Sequence, residues 1–336
     1  MIESQTKIVT VGSSSQVGND PFLLDFEKLL RRQSQENMSP YLYSTPDPNL
    51  DKDLACGELY YNELIYNVPT YYLYRDEVKI LQNSAKQLAS YLPKEVTILE
   101  FGVGTEIAFR NKTLPFLKAI PDLALYVPID LCVNYLIQAQ EILAQELPEV
   151  NFNGIETDFV KNVSIVQDFV NPVVFFKGST ITNMPPEQCI EFFSCLSDAL
   201  PSGGLLIVGQ DSNASEISLH QAYVHQIVED FVLSIFYRFK RDYPTQNFMP
   251  NAFKYQFNWL PNIYCVKHTA VATQAQTFNL KGNLIEIQTN DEFHIVSSYK
   301  YPVEFFQDMA KQGGFQSISV LSEPSNPMVI HVLQKN

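Results

Sequence analysis

The chain has 336 residues, 46% hydrophobic and 18% charged, with a formal net charge of −14. That length allows one large or two modest domains with a sizeable core, and an acidic balance without a basic patch argues against a nucleic-acid partner. No apolar run approaches the ~20 residues that span a bilayer, and Met1–Lys7 holds no apolar stretch of a secretory signal. The five scattered cysteines form neither a C-x-x-C pair nor a disulfide framework. The expectation is a cytoplasmic protein with no membrane or nucleic-acid partner and no metal site.

Residues 1–50 are polar, and Pro40, Pro46 and Pro48 rule out a long helix there. A short helix is expected over Phe22–Gln33. A helical pattern begins at Glu58 and stops at Pro69, and a second runs from Asp76 to Tyr91. It leads into Ile98-Leu-Glu-Phe-Gly-Val-Gly-Thr105, a strand, a turn carrying Gly102 and Gly104, and then a helical pattern near Asn111. Strand, glycine turn and helix is how a doubly wound sheet opens a site for a nucleoside or a phosphate. The glycines let the backbone turn sharply and approach a ligand. The third glycine of a dinucleotide site is missing. Glu100, just before the first glycine, suits a ligand that carries a cation beside its nucleoside, as S-adenosylmethionine (SAM) does. An ordinary strand-to-helix turn is the plainer alternative.

From there helices and strands alternate. Strands are expected at Leu123–Asp130, Val150–Asp158, Val173–Thr180 and Gly203–Asp211, with helices at Cys132–Leu147 and Pro185–Leu200. Five strands joined by crossover helices make a parallel sheet. The alternation fails over 212–290, where a long helical pattern (Leu219–Tyr237) precedes an aromatic stretch and strand-like segments at Ile263–Ala270 and Thr277–Gln288. It resumes with a strand at Glu292–Tyr301, a helix at Val303–Gly313 and two closing strands at Phe315–Ser322 and Met328–Gln334. Seven strands with a closing antiparallel pair are the plan of a class I SAM-methyltransferase, a Rossmann-like sheet. Residues 77–212 with 289–336 would form that cofactor-binding core. Residues 1–76 with 213–288 would form a second, mixed helical and strand lobe for the substrate. The dense aromatics within Tyr60–Tyr74 and Phe231–Trp259 read either as core or as the lining of a ligand pocket.

Three polar positions stand at strand ends. Asp130 is placed to accept hydrogen bonds from ribose hydroxyls, or to cap the helix that follows. Asp158 is placed to accept from an adenine amino group while Phe159 covers the ring, or else is a turn residue. Asn183, in Gly178-Ser-Thr-Ile-Thr-Asn-Met-Pro-Pro186, would face the transferable group and can both donate and accept. A turn asparagine before a proline-started helix is its plainer reading.

Several segments together resemble the SAM-dependent amino-acid N-methyltransferases that include the histidine-trimethylating enzyme of ergothioneine biosynthesis. The specific ones are Asn67-Val-Pro-Thr-Tyr-Tyr-Leu-Tyr-Arg-Asp-Glu77 and Gly178-Ser-Thr-Ile-Thr-Asn183. Leu99–Thr105, Tyr126–Asp130, Gly154–Phe159, Ala222-Tyr223, Asn251–Trp259 and Ser298-Tyr-Lys-Tyr301 extend the resemblance to the C-terminal end. It implies a two-lobed, monomeric enzyme in which Gly102, Gly104, Asp130, Asp158 and Phe159 hold SAM. Lys112 would be a further cofactor contact, in a loop longer than the family's. Tyr71, Asn183 and Tyr223 would grip the α-amino and α-carboxylate groups of an amino acid, with Asn183 and Tyr223 also orienting the nitrogen for transfer. Ser298 would lie deeper, toward the side chain.

The chain departs from the histidine-specific members in that pocket. Leu50-Asp-Lys-Asp53 offers no counterpart to their tyrosine, Val296 stands where they carry a glutamate facing the imidazole, and Val266 stands for a methionine. The resemblance therefore implies an N-methyltransferase acting on the α-amino group of an amino acid other than histidine, or of a related amine. Histidine itself, a protein or RNA substrate, and a non-catalytic relative that binds SAM or amino acids are the alternatives. Acidity counts against RNA.

Overall fold

The computed structural model describes residues 6–11, 20–33, 37–47, 49, 53–243 and 245–336. Its strands, in chain order, are β1 (Thr6–Thr10), β2 (Val96–Phe101), β3 (Leu123–Asp130), β4 (Asn151–Glu156), β5 (Pro172–Phe176), β6 (Leu205–Asp211) and β7 (Phe253–Leu260). They continue with β8 (Cys265–Ala272), β9 (Gln276–Leu280), β10 (Asn283–Ile287), β11 (Glu292–Tyr299), β12 (Phe315–Ser322) and β13 (Met328–Lys335). The chain divides into two compact units: Met1–Ser14, Leu73–Asn213 and Tyr301–Asn336 form one, and Ser15–Tyr72 with Ala214–Lys300 the other.

The first unit is built on an eight-stranded sheet in the order β1-β4-β3-β2-β5-β6-β13-β12. The strands from β1 to β6 are parallel, and β13 and β12 close the sheet antiparallel. Every residue of β2, β5 and β6 is buried. Burial on both faces explains why these strands read as continuous apolar runs rather than as alternation. The chain leaves β2 for β3 on one side and crosses back to β5 on the other. The glycine turn after β2 thus lies where the strand order reverses, the place where open α/β sheets leave a crevice for ligands.

Seven of these strands are the ones the sequence predicts for this sheet. The eighth, β1, comes from the polar N-terminal segment, where no strand is predicted, and pairs in parallel with β4. A second difference concerns β11. It does not resume the large sheet but pairs antiparallel with β8, in a three-stranded sheet of order β11-β8-β7. A strand pattern fixes period, not partner, so its sheet could not be read from residues 292–301 alone.

The second unit combines that sheet, the hairpin β9–β10 and helices at Pro21–Leu30, Ser39–Leu42, Gly57–Asn67, Glu216–Tyr223 and Gln226–Asp242. The long helical pattern over 219–237 is therefore two helices. Much of the aromatic density resolves into core: Phe26 stacks on Phe239 at 4.5 Å, and Phe236 on Phe253 at 4.0 Å. The helix starting at Gly57 meets the previous one closely, since a Cβ there would lie 1.6 Å from the Leu42 carbonyl oxygen. Among the described residues no helix is long and apolar enough to cross a membrane.

Candidate functional site

In the first unit, Gly102 and Gly104 both have left-handed backbone, φ 75° and 69°. A side chain is disfavoured in that region, so the glycines are required by the turn itself. Asp130, at the end of neighbouring β3, closes the turn from the side. Its Oδ2 accepts from the Gly104 N–H at 3.2 Å and its Oδ1 from the Cys132 N–H at 2.9 Å. The carboxylate thus holds both the bend that leads into the helix Val133–Glu146 and the glycine turn. Burial pushes its carboxyl pKa up, and the two N–H groups and the charge of Lys177 pull it back. Phe159, after β4, stacks on Phe101 at 5.0 Å, and its ring would lie 3.7 Å from a Cβ on Gly102. Asp158 accepts from the Val160 N–H and pairs with Lys161 at the surface.

Two expected ligand contacts are committed inside the protein instead. Glu100 is fully buried: its carboxylate pairs with Lys177 at 2.5 Å and accepts from the Thr113 and Tyr126 hydroxyls. It does not face out toward a ligand's cation, because a buried carboxylate needs its partners within the fold. Lys112 is also buried, with Nζ 2.6 Å from Glu77 and 4.6 Å from the Tyr74 ring centroid. The segment that carries it is helical, with Phe109–Thr113 winding as a π turn. Glu77 in turn accepts from the Gly178 N–H at 2.7 Å. Gly178 (φ 83°) and Ser179 (φ 53°) are both left-handed and lead into the 3₁₀ turn Thr180–Asn183. Asn183 is half-buried at its end, and the Ser179 Oγ is buried without a hydrogen-bond partner. Strained left-handed residues cluster at functional sites.

In the second unit the expected residues meet on one face of the three-stranded sheet. Val296 and Ser298 are two apart on β11, and their register partners on β8 are His268 and Val266. Those two oppose Phe257 and Trp259 on β7. Alternation puts all six side chains on the same face. Tyr223 packs over it: its ring lies 4.9 Å from His268 and 6.3 Å from Phe257, and its hydroxyl 3.5 Å from the Ser298 Oγ. Tyr71 meets Tyr223 edge-on at 6.1 Å. Lys300 is fully buried and donates to both the Tyr223 and the Ser298 hydroxyl, each at 2.8 Å. His268 shares a 2.8 Å hydrogen bond with Tyr255, and burial, helped by the Lys300 charge, pushes its pKa down to about 3. It is neutral at physiological pH. Leu50, Asp51 and Lys52 lie outside the described residues. Asp53 is buried and paired with Arg241 at 2.7 Å.

Sequence reasoning missed Glu77, Lys177, Lys300, Phe257 and Trp259 as parts of these clusters. Lys300, two residues beyond Ser298, follows from the β-strand period. Glu77 and Lys177 needed the fold, because their partners lie far off in the chain.

The sequence model of one family, described as histidine-specific methyltransferase, SAM-dependent, matches residues 25–335. The chain is 28% identical over 197 residues to a histidine N-alpha-methyltransferase of Mycolicibacterium smegmatis, an alignment covering 58% of this chain and 59% of that one. It is 27% identical to the uncharacterized protein y4iF of Sinorhizobium fredii, over 72% of this chain and 81% of that one. It is 23% identical to the N-methyltransferase dtpB of Aspergillus flavus, over 79% and 77%.

Proposed function

Because the chain belongs to the family of histidine-specific, SAM-dependent methyltransferases, we propose that it methylates the α-amino nitrogen of a free amino acid other than histidine. It is a SAM-dependent methyltransferase of an N-methylating family.

The groups of the first unit fit the cofactor. A carboxylate offers about four acceptor positions, and Asp130 uses two of them on backbone N–H groups, which leaves capacity for ribose hydroxyls. Gly102 and Gly104 hold no side chain against an approaching ligand. Phe159 offers an aromatic surface beside that turn, and Asp158 would accept from the base. SAM supplies an activated methyl on a sulfonium, so the amine needs only a free lone pair held in line with that methyl. Asn183 and Tyr223 would orient the nitrogen and help carry its proton away, and Tyr71 would share in gripping the head group.

The observation that carries the reading is the composition of the β7–β8–β11 face. Val296, Val266, Phe257 and Trp259 line it, and the polar groups on the same face are the Ser298 hydroxyl, the neutral His268 with its Tyr255 partner, and the Trp259 indole N–H, with no carboxylate among the register-defined residues. Lys300 donates to the Ser298 oxygen, which leaves that hydroxyl one proton and one lone pair. A buried imidazole N–H facing Val296 meets no carboxylate there, and leaving it unpaired would cost roughly 1–3 kcal/mol. An apolar or aromatic side chain gains about 25 cal/mol per Å² buried. Histidine itself is the competing reading, favoured by the relatives named histidine N-alpha-methyltransferase.

A screen of the twenty amino acids and their decarboxylated amines, reading S-adenosylhomocysteine release, tests the proposal. Mass spectrometry then locates the added methyl. Turnover of apolar or aromatic amino acids with methyl on the α-nitrogen supports it. Turnover of histidine alone, or of none, contradicts it.

A further inference from the structure

Lys177 follows β5 and is almost wholly buried. The register pairs Phe175 with Glu100, so two residues further on Lys177 stands beside Gly102. Its ammonium has three partners: Glu100 at 2.5 Å, the Gly102 carbonyl at 3.1 Å and the Val103 carbonyl at 2.9 Å. An ammonium has three N–H donors, so its capacity is fully used.

Planarity of the peptide bond gives these contacts a consequence. In a trans peptide the C=O and the next N–H point in opposite directions. Drawing the Val103 carbonyl onto Lys177 therefore turns the Gly104 N–H the other way, and that N–H is the one that reaches Asp130 Oδ2 at 3.2 Å. The same constraint on the Gly102 carbonyl turns the Val103 N–H away from Lys177. Glycine turns are conformationally free, so such a turn needs something to select one orientation of its peptide planes. Glu100 holds the ammonium from below and is itself braced by Thr113 and Tyr126. The next residue, Gly178, is tied to Glu77, so the start of the Asn183 turn is fixed from the same point.

We propose that Lys177 is a positioning residue for the cofactor: through the peptide planes of the glycine turn it sets the Asp130 carboxylate for SAM. The inference rests on the reading of Asp130 as a SAM contact. It makes no contact between Lys177 and SAM itself.

The test is a double-mutant cycle on the full chain, reading SAM affinity by calorimetry and thermal stability in parallel. The variants are Lys177→Met, Asp130→Ala and the pair. All are repeated in a Glu100→Gln background, which removes the buried charge that Lys177→Met would leave without its ion-pair partner and keeps the cycle readable if Lys177→Met alone fails to fold. The expected result is at least a 30-fold loss of SAM affinity in either single variant, with the pair losing no more than threefold beyond Asp130→Ala. A purely structural lysine would lower stability without that coupling. Lys177→Met binding SAM as wild type does, or losses that simply multiply, overturns the inference and leaves the Asp130 reading standing. Asp130→Ala binding SAM as wild type does overturns the reading beneath it.

Discussion

The ammonium of Lys300 lies 2.8 Å from the Tyr223 hydroxyl and 2.8 Å from that of Ser298. Since lysine only donates, both hydroxyl oxygens act as acceptors toward it, and their own protons are turned elsewhere. Two side chains expected to touch the substrate are thus aimed by a third that the sequence reading did not assign. Lys300→Met should raise KM for the amino acid roughly 10- to 100-fold, the worth of hydrogen bonds to a charged group. SAM affinity should stay within about twofold, since the change is confined to the second unit. Steady-state kinetics with calorimetric SAM titration check both halves.

Glu77 is a buried joint between Lys112 and the Gly178 N–H, and Gly209 on β6 makes room for it. A Cβ at Gly209 would lie 2.0 Å from the Glu77 Oε1. The carboxylate cannot retreat without giving up its partners. Gly209→Ala should therefore cost about 3 kcal/mol of stability, combining overpacking with a disturbed buried ion pair. Urea unfolding measures it, and a loss below about 1 kcal/mol would show that Glu77 has room to move.

His331 lies in the first unit's core, its Nε2–H donating to the Gln210 Oε1 at 2.7 Å, and burial pushes its pKa down to about 3. An unfolded imidazole titrates near 6.5. Between those values the unfolded chain binds the extra proton, so stability falls as pH falls from about 6.5 toward 3. At pH 5 the loss from this one residue is about 2 kcal/mol relative to pH 7. His331→Gln should shrink the difference in unfolding free energy between pH 7 and pH 5 by that amount. An unchanged difference would mean that His331 titrates normally in the fold.

Much of the first unit was legible because its signals are local. Gly102, Gly104 and Asp130 announce a turn and a strand end, and the structure bonds the Gly104 N–H of that turn to Asp130. Glu100 and Lys112 were misassigned because a carboxylate or an ammonium reads the same whether it faces a ligand or a partner inside the fold. Their partners, Lys177 and Glu77, stand 77 and 35 residues away by number (177 − 100 and 112 − 77). The place of β11 was illegible for a similar reason: its alternation is satisfied by either sheet. Phe257 and Trp259 join Val296 only through the registers of two strand pairs, information that no single segment carries.

The central claim, an amino-acid N-methyltransferase whose side-chain pocket has turned from imidazole to apolar groups, is tested most directly by one kinetic contrast. It is kcat/KM for histidine against tryptophan, tyrosine, phenylalanine and leucine, in wild type and in Val296→Glu. The account predicts that wild type prefers one of the apolar or aromatic amino acids over histidine by at least tenfold, about 1.4 kcal/mol. It also predicts that Val296→Glu narrows or reverses that preference by returning an acceptor to the pocket. Histidine as the best wild-type substrate would contradict it.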